Sequence, residues 1–292
     1  ELPFLHLNNV MKTIITIALM GIAAIACAQD SSSNYLQLNE VVISANRFSE
    51  KQKNIVQKII VINAPAISRA NAQNTGDLLM GTGKVFVQKS QQGGSSPVLR
   101  GFEASRVLLV VDGVRMNNAI YRSGHLQNVI TVDQNMLERV EVLFGPGSTL
   151  YGSDALGGVI NFITKQPQVA SDTQKSVSSG SLFTRYSSAN DEHTGHFDIN
   201  LGFRKWAALT SVTYSDFGDL KIGSKDPKNY PDFGRRFEYV DRIGYTDTIV
   251  KNNDPDRQRF SGYKQWDILQ KLLYKASDKV SHQLSFQYSN SG

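Results

Sequence analysis

One stretch of the chain gathers side chains suited to ligand chemistry: Met116-Asn117-Asn118-Ala119-Ile120-Tyr121-Arg122-Ser123-Gly124-His125-Leu126-Gln127-Asn128 is polar, aromatic and basic together. Amides and a guanidinium can hydrogen-bond a ligand, and a phenol or an imidazole can do so or bind a metal. A plain surface loop, with His125 bonded to its neighbours, is the competing reading. Catalysis finds little support. There is no Gly-x-Ser-x-Gly elbow and no His-Glu-x-x-His pair, and His193 and His196 are the nearest approach to a metal cluster. Gly145-Pro146-Gly147 lacks the further glycine of a dinucleotide loop, and no Walker lysine motif occurs. The chain is therefore not expected to be an enzyme.

The elements that would position this stretch are short β-branched runs separated by glycine-rich turns. Strands are expected at Ile59–Ile62, Val85–Gln88, Val107–Val111, Arg139–Leu143 and Val159–Thr164. Short helices are expected at 75–80 and 133–137, with Thr75 and Asp133 as N-caps. Together these make a small α+β domain over 59–167. Ahead of it, residues 29–58 form a polar arm carrying one apolar island, Val41-Val42-Ile43.

Further upstream, Met11-Lys12, an apolar run from Ile14 to Ala26 and Ala26-Cys27-Ala28 have the order of a secretory signal peptide over 11–28. Residues 1–10 precede the expected initiator and are not expected in the mature protein. The single cysteine, Cys27, sits in or beside this segment, so the mature chain is expected to lack disulfides and Cys-based metal sites. The 292 residues carry 31 Lys+Arg against 26 Asp+Glu. The excess of basic residues is divided between the two halves, so no basic patch points to nucleic acid.

From about residue 176 the hydrophobic period becomes two. Phe197, Ile199, Leu201 and Phe203 oppose Asp198, Asn200 and Gly202; Trp206, Ala208, Thr210, Val212 and Tyr214 form another series. Trp266, Ile268, Leu272 and Tyr274 form a third, interrupted by Gln270, and Leu284, Phe286 and Tyr288 belong to a fourth, opposite Gln283, Ser285, Gln287 and Ser289. Long strands with one apolar face tipped by aromatics, joined by tight turns at Arg204-Lys205 and Ser277-Asp278 and by a long polar excursion over 216–262, have the pattern of a membrane β-barrel. Apolar positions then face lipid. A soluble sandwich alternates in the same way, but its strands are usually shorter.

Several motifs now read together. Leu38-Asn39-Glu40-Val41-Val42-Ile43-Ser44-Ala45 resembles a TonB box, and Val98-Leu99-Arg100-Gly101-Phe102, the run from Arg106 to Arg115 with Val111-Asp112-Gly113-Val114, and Leu137-Glu138-Arg139-Val140-Glu141-Val142 resemble the plug of TonB-dependent outer-membrane receptors. Phe144-Gly145-Pro146-Gly147-Ser148 and Ala155-Leu156-Gly157-Gly158-Val159-Ile160-Asn161 continue the likeness. It is dense over 38–167.

The resemblance implies an α+β plug domain followed, over 168–292, by about the first five strands of a transmembrane antiparallel β-barrel. Because five strands leave an open edge, the barrel would be incomplete and the chain an N-terminal part of a longer receptor. It also implies TonB as the periplasmic partner, gripping Glu40, Val41, Val42, Ile43 and Ser44 by strand addition, outer-membrane lipid as surroundings, and active import of an iron-containing ligand. In form the 116–128 stretch resembles the haem and haemoprotein branch. Tyr121 and His125 would then be candidate iron ligands and Arg122 a partner for carboxylates, with Asn117 and Asn118 beside them. No firm metal site and no tightly bound cofactor is implied; haem or a ferric siderophore would be cargo. Cobalamin, or a surface barrel that binds without transporting, are the alternatives. Arg100, Glu138, Arg139 and Glu141 would make plug-to-barrel ion pairs, and Phe144 departs from the Arg that many relatives place there.

Overall fold

The computed structural model describes residues 41–42, 50–51, 57–90, 92–103, 106–116, 129–147, 151–223 and 230–292. Residues 41–292 form one compact unit. Its first pairing joins β1 (Val41–Val42) to β2 (Glu50–Lys51), antiparallel, with Val41 opposite Lys51. The expected boundaries of the leader and of most of the arm lie outside the described residues.

The plug begins with β3 (Ile59–Asn63). Asn63 ends that strand and caps α1 (Ala64–Ala70), accepting from the Ala66 N–H, while Pro65 sits in the first turn, where its missing N–H costs no helix bond. Neither signal was read as a helix start from the sequence. In α2 (Thr75–Met80) the cap is Asn74, one residue before the expected Thr75. Asn74 is extended and its side chain accepts from Asp77 N, whereas the Thr75 hydroxyl is already committed to the Val132 carbonyl. Asp133 does cap as expected, holding a single 3-10 turn over Gln134–Met136.

A hairpin follows α2, formed by β4 (Phe86–Ser90) and β5 (Gly94–Val98), the second strand being one that the polar composition of Gly94-Ser95-Ser96-Pro97 conceals. Then come β6 (Val107–Val111), β7 (Val114–Arg115), β8 (Leu137–Phe144) and β9 (Gly158–Thr164). The main plug sheet has the order β3-β8-β9-β6-β7, antiparallel except for the parallel β9–β6 pair. Its faces are apolar on both sides: Leu79, Leu99, Val140, Val142, Ile160 and Phe162 pack on one face, and Leu108, Val110, Leu143 and Val159 on the other. That is why β6 reads as an unbroken apolar run, and β9 as one interrupted only by Asn161, and not as alternation. Gly158 is required where β9 meets β8: its φ is +152°, and a Cβ there would lie 2.3 Å from the Leu143 carbonyl oxygen.

The second sheet is a wall of five long strands in sequence order. They are β10 (Ser176–Ser187), β11 (Glu192–Phe203), β12 (Trp206–Phe217), β17 (Tyr263–Lys275) and β18 (Ser281–Ser291), every neighbour antiparallel. At 11 to 13 residues, each meets or exceeds the roughly 9–11 needed to cross a bilayer on a tilt. The excursion between β12 and β17 is itself folded: β13 (Leu220–Lys221) pairs with β16 (Arg257–Gln258), and β14 (Glu238–Ile243) with β15 (Thr246–Lys251).

Register explains the aromatic tips. Trp206 lies opposite Tyr274 and Tyr214 opposite Trp266, with ring centroids 4.3 and 4.6 Å apart. Two cross-strand aromatic pairs thus mark the two ends of the apolar face, where a barrel carries its girdles. Register also accounts for Gln270, the polar residue that interrupts its apolar series. It faces Thr210 on the next strand and accepts that hydroxyl at 2.7 Å, so two polar side chains on the lipid side satisfy each other.

Candidate functional site

On the three central strands the opposite face of the wall is buried and mostly polar, and the plug lies against it. On β11 the inward residues are Glu192, Thr194, His196, Asp198 and Asn200, and on β17 Gln265, Asp267, Leu269 and Lys271. Alternation placed all of these on one side, because side chains of a strand change faces at every residue. What they bind comes from the plug. Among the described residues Leu269 joins the plug's apolar core, and Ala207, Leu209 and Phe217 are buried on the same inward face; the other contacts named below are hydrogen bonds and ion pairs.

At the end of the wall carrying the long excursion, Gln92 from the β4–β5 turn is the hub. Its amide donates to the carbonyls of Gly218 (2.8 Å) and Ser261 (3.2 Å), and its oxygen accepts from Asn190 (2.7 Å) and Gln73 (3.3 Å). One level in, Arg185 reaches the plug carbonyls of Ala72 and Gln73 while pairing with Glu192 at 2.5 Å. Gln265 donates to the Ile130 carbonyl at 2.8 Å. Thr213 donates to the Asp133 carboxylate and also meets His196 Nδ1 at 2.7 Å.

Toward the other end the contacts become ionic and reciprocal. Plug Lys165 pairs with wall Asp198 at 2.7 Å, and plug Asp112 pairs with wall Lys271 at 2.8 Å. Lys271 has no exposed side-chain surface, and a buried ammonium is tolerated only when paired. Asp112 is aimed by a tight turn between β6 and β7: its φ is +47°, and its carboxylate accepts both the backbone N–H and the hydroxyl of Thr164. Beyond these, Asn200 exchanges two hydrogen bonds with the backbone of Gln168, and Gly202 lets that connector press on the wall, a Cβ there falling 2.0 Å from the Gln168 oxygen.

The residues singled out from the sequence fare differently. Asn117, Asn118, Tyr121, Arg122 and His125 lie outside the described residues, as do Glu40, Ile43 and Ser44 of the arm; Val41 and Val42 form β1. The four expected plug-to-barrel residues stay within the plug as far as the described residues go. Arg139 pairs with Glu141 at 2.8 Å and approaches Glu138 at 3.7 Å, and Glu141 also takes the Asn161 amide at 3.5 Å. Arg100 sits 5.7 Å from the centroid of the Phe144 ring, and Lys58 5.8 Å from it. The departure at Phe144 thus replaces a cation by a ring that two cations cover. The contacts with the five described strands run instead through Gln92, Asp112, Asp133, Lys165, Arg185, Asp198, Gln265 and Lys271. Parity marked Asp198, Gln265 and Lys271 as inward-facing; nothing in the sequence marked Arg185 or the plug partners.

Comparison with known proteins fits this arrangement. A family model described as the TonB-dependent receptor plug domain matches residues 51–159. The vitamin B12 transporter BtuB of Vibrio vulnificus is 39% identical over 151 residues, which is 50% of this chain and 24% of the relative. Among solved structures, the pyoverdine outer membrane receptor FpvA from Pseudomonas aeruginosa, bound to pyoverdine, aligns with a TM-score of 0.61 at 17% identity, over 86% of this chain and 30% of that one. The copper transporter OprC gives 0.58 at 17% over 80% and 31%, and the siderophore receptor PirA from Acinetobacter baumannii 0.56 at 19% over 82% and 32%. The chain spans about a quarter to a third of the length of these proteins. At such identities the structures show the fold alone: a plug against a curved antiparallel wall. Residues 51–159 thus match the plug domain of TonB-dependent receptors, and the chain around them shares the fold of these solved receptors and transporters.

Proposed function

We propose that the receptor carrying this chain imports an iron-containing ligand, haem or a haemoprotein or a ferric siderophore, across the outer membrane, with TonB supplying the work by pulling on residues 40–44. The observation that carries the reading is the nature of the plug-to-wall contact. Its named contacts are mostly hydrogen bonds and ion pairs to groups that water can satisfy equally well, with Ala207, Leu209, Phe217 and Leu269 as the buried apolar residues of the wall's inward face. A permanent seal would favour apolar packing. A plug that must shift and return favours contacts whose loss to water costs little net free energy, about 0.5–1.5 kcal/mol each for neutral hydrogen bonds.

The β-prone island Val41–Val42 lies at the start of the compact unit, where an edge strand of a periplasmic partner can take it up in place of Glu50–Lys51. In this reading the chain binds and transports and does no covalent chemistry. Tyr121, Arg122 and His125, with Asn117 and Asn118, are the side chains we assign to cargo. The relatives handling pyoverdine and copper are consistent with a metal-bearing cargo. The 39% identity to a vitamin B12 transporter favours a second reading, cobalamin, which is itself a metal chelate.

The test is growth of a deletion strain complemented with the full receptor, wild type or Val42→Pro, on haem, haemoglobin or ferric siderophore as sole iron source, and in a cobalamin-requiring background. Growth restored by wild type on an iron source and lost with Val42→Pro supports iron import through TonB. Restoration only of cobalamin use replaces the cargo, and full activity of Val42→Pro removes the coupling.

A further inference from the structure

Deep in the seam, the plug and the wall close around a cavity of about 20 Å³, room for one water-sized body. Asn74, Asp133 and Gln134 line it from the plug, and Arg185, Tyr263 and Asp267 from the wall. Asp133 and Asp267 are 8% and 4% exposed. They lie side by side, because Thr213, which bonds to Asp133, is the direct cross-strand partner of Asp267, and inward side chains so paired stand about 5 Å apart at Cβ.

The neighbouring cations are already engaged. Arg185 is neutralised by Glu192 at 2.5 Å, and Lys165 by Asp198 at 2.7 Å; His196 is held between Asp198 and Thr213. Two like-charged carboxylates thus face each other with no counter-charge among the described residues. An independent feature points to a ligand. Gln134, 5% exposed, spends its amide N–H on the Ala72 carbonyl, while its side-chain oxygen has no partner among the described residues. The Tyr263 hydroxyl, at the same cavity, has none either.

We propose that this seam binds one hard, oxygen-seeking divalent cation, with Asp133 of the plug and Asp267 of the wall as anionic ligands and the Gln134 oxygen as a neutral one. Carboxylate, amide and hydroxyl oxygens are the donor set of Ca²⁺ and Mg²⁺. The cavity selects between them: Mg²⁺ retains several waters and demands octahedral geometry, whereas Ca²⁺ accepts irregular protein oxygens directly. Ca²⁺ is therefore the ion that fits a space with no room for a hydration shell. Bound there, it ties plug to wall, and the site exists whatever the cargo is.

The test is thermal unfolding of the purified full receptor in detergent, after EDTA treatment, with Ca²⁺ or Mg²⁺ added back, for wild type and Asp267→Asn. The expected result is that Ca²⁺ at a hundredfold excess over its dissociation constant raises the wild-type midpoint by about 2 °C. Mg²⁺ should raise it much less. Asp267→Asn should be at least as stable as wild type in EDTA, since it removes a like charge, and should lose most of the Ca²⁺ response. If that variant does not fold, Asp133→Asn replaces it, because its amide oxygen can still cap the 134–136 turn. A wild-type midpoint indifferent to Ca²⁺, or a variant that responds as fully as wild type, overturns the proposal.

Discussion

Replacing Lys271 with Met removes the ammonium that sits 2.8 Å from Asp112 and keeps the aliphatic stem that packs at that point of the wall. Asp112 keeps its two bonds from Thr164 but loses its counter-charge. Removing one member of a buried ion pair costs about 3–5 kcal/mol. Asp112 retains 23% of its side-chain exposure, so water relieves part of the penalty and the lower figure, about 3 kcal/mol, applies. That is a little over a hundredfold in the equilibrium between docked and released plug. The assay is amide hydrogen exchange in the receptor, followed at β9 and at the Thr164 N–H. Protection there should fall by about two orders of magnitude if release of the plug is the opening that limits exchange. The double variant Asp112→Asn/Lys271→Met removes both charges and should recover most of the loss, since an unpaired charge is what makes the single variant costly. Unchanged protection in Lys271→Met, or a double variant no better than the single, refutes the claim that this pair ties plug to wall.

Two further outcomes follow from the same geometry. Gln92→Leu should lower the unfolding free energy by about 2 kcal/mol, because the buried Asn190 amide and two carbonyls lose their partner in one step; a thermal midpoint equal to wild type contradicts it. Thr210→Val should cost about 1–2 kcal/mol by leaving Gln270 unpaired on the lipid side, and Thr210→Val/Gln270→Leu should regain it. Urea unfolding from lipid vesicles measures both, and a costless single variant shows that the face does not meet hydrocarbon.

Much of the wall was legible because a strand carries its environment in its period. Once Phe197, Ile199, Leu201 and Phe203 alternate with polar residues, the two faces of β11 are assigned without coordinates. The tight turn at Arg204-Lys205 makes β12 antiparallel to it. The plug was legible in its apolar strands and less so where polar residues form regular structure: β5 is hidden in Gly-Ser-Ser-Pro, and α1 starts at an Asn-Ala-Pro that also reads as a turn. The cap of α2 shifted by one residue because Asn and Thr are both good caps, and a hydrogen bond to Val132, 57 residues away, decided between them.

The sequence by itself determined which faces are apolar, where the chain turns, and that Asp198, Asp267 and Lys271 point to the same side as the other polar residues of their strands. These are local properties, set by the two-residue repeat and by turn chemistry. Only the tertiary structure decided that Asp112 meets Lys271 and that Asp133 comes to rest beside Asp267. A charge carries no record of its partner; the partner depends on which surfaces the chain brings within a few ångströms, across separations of more than a hundred residues.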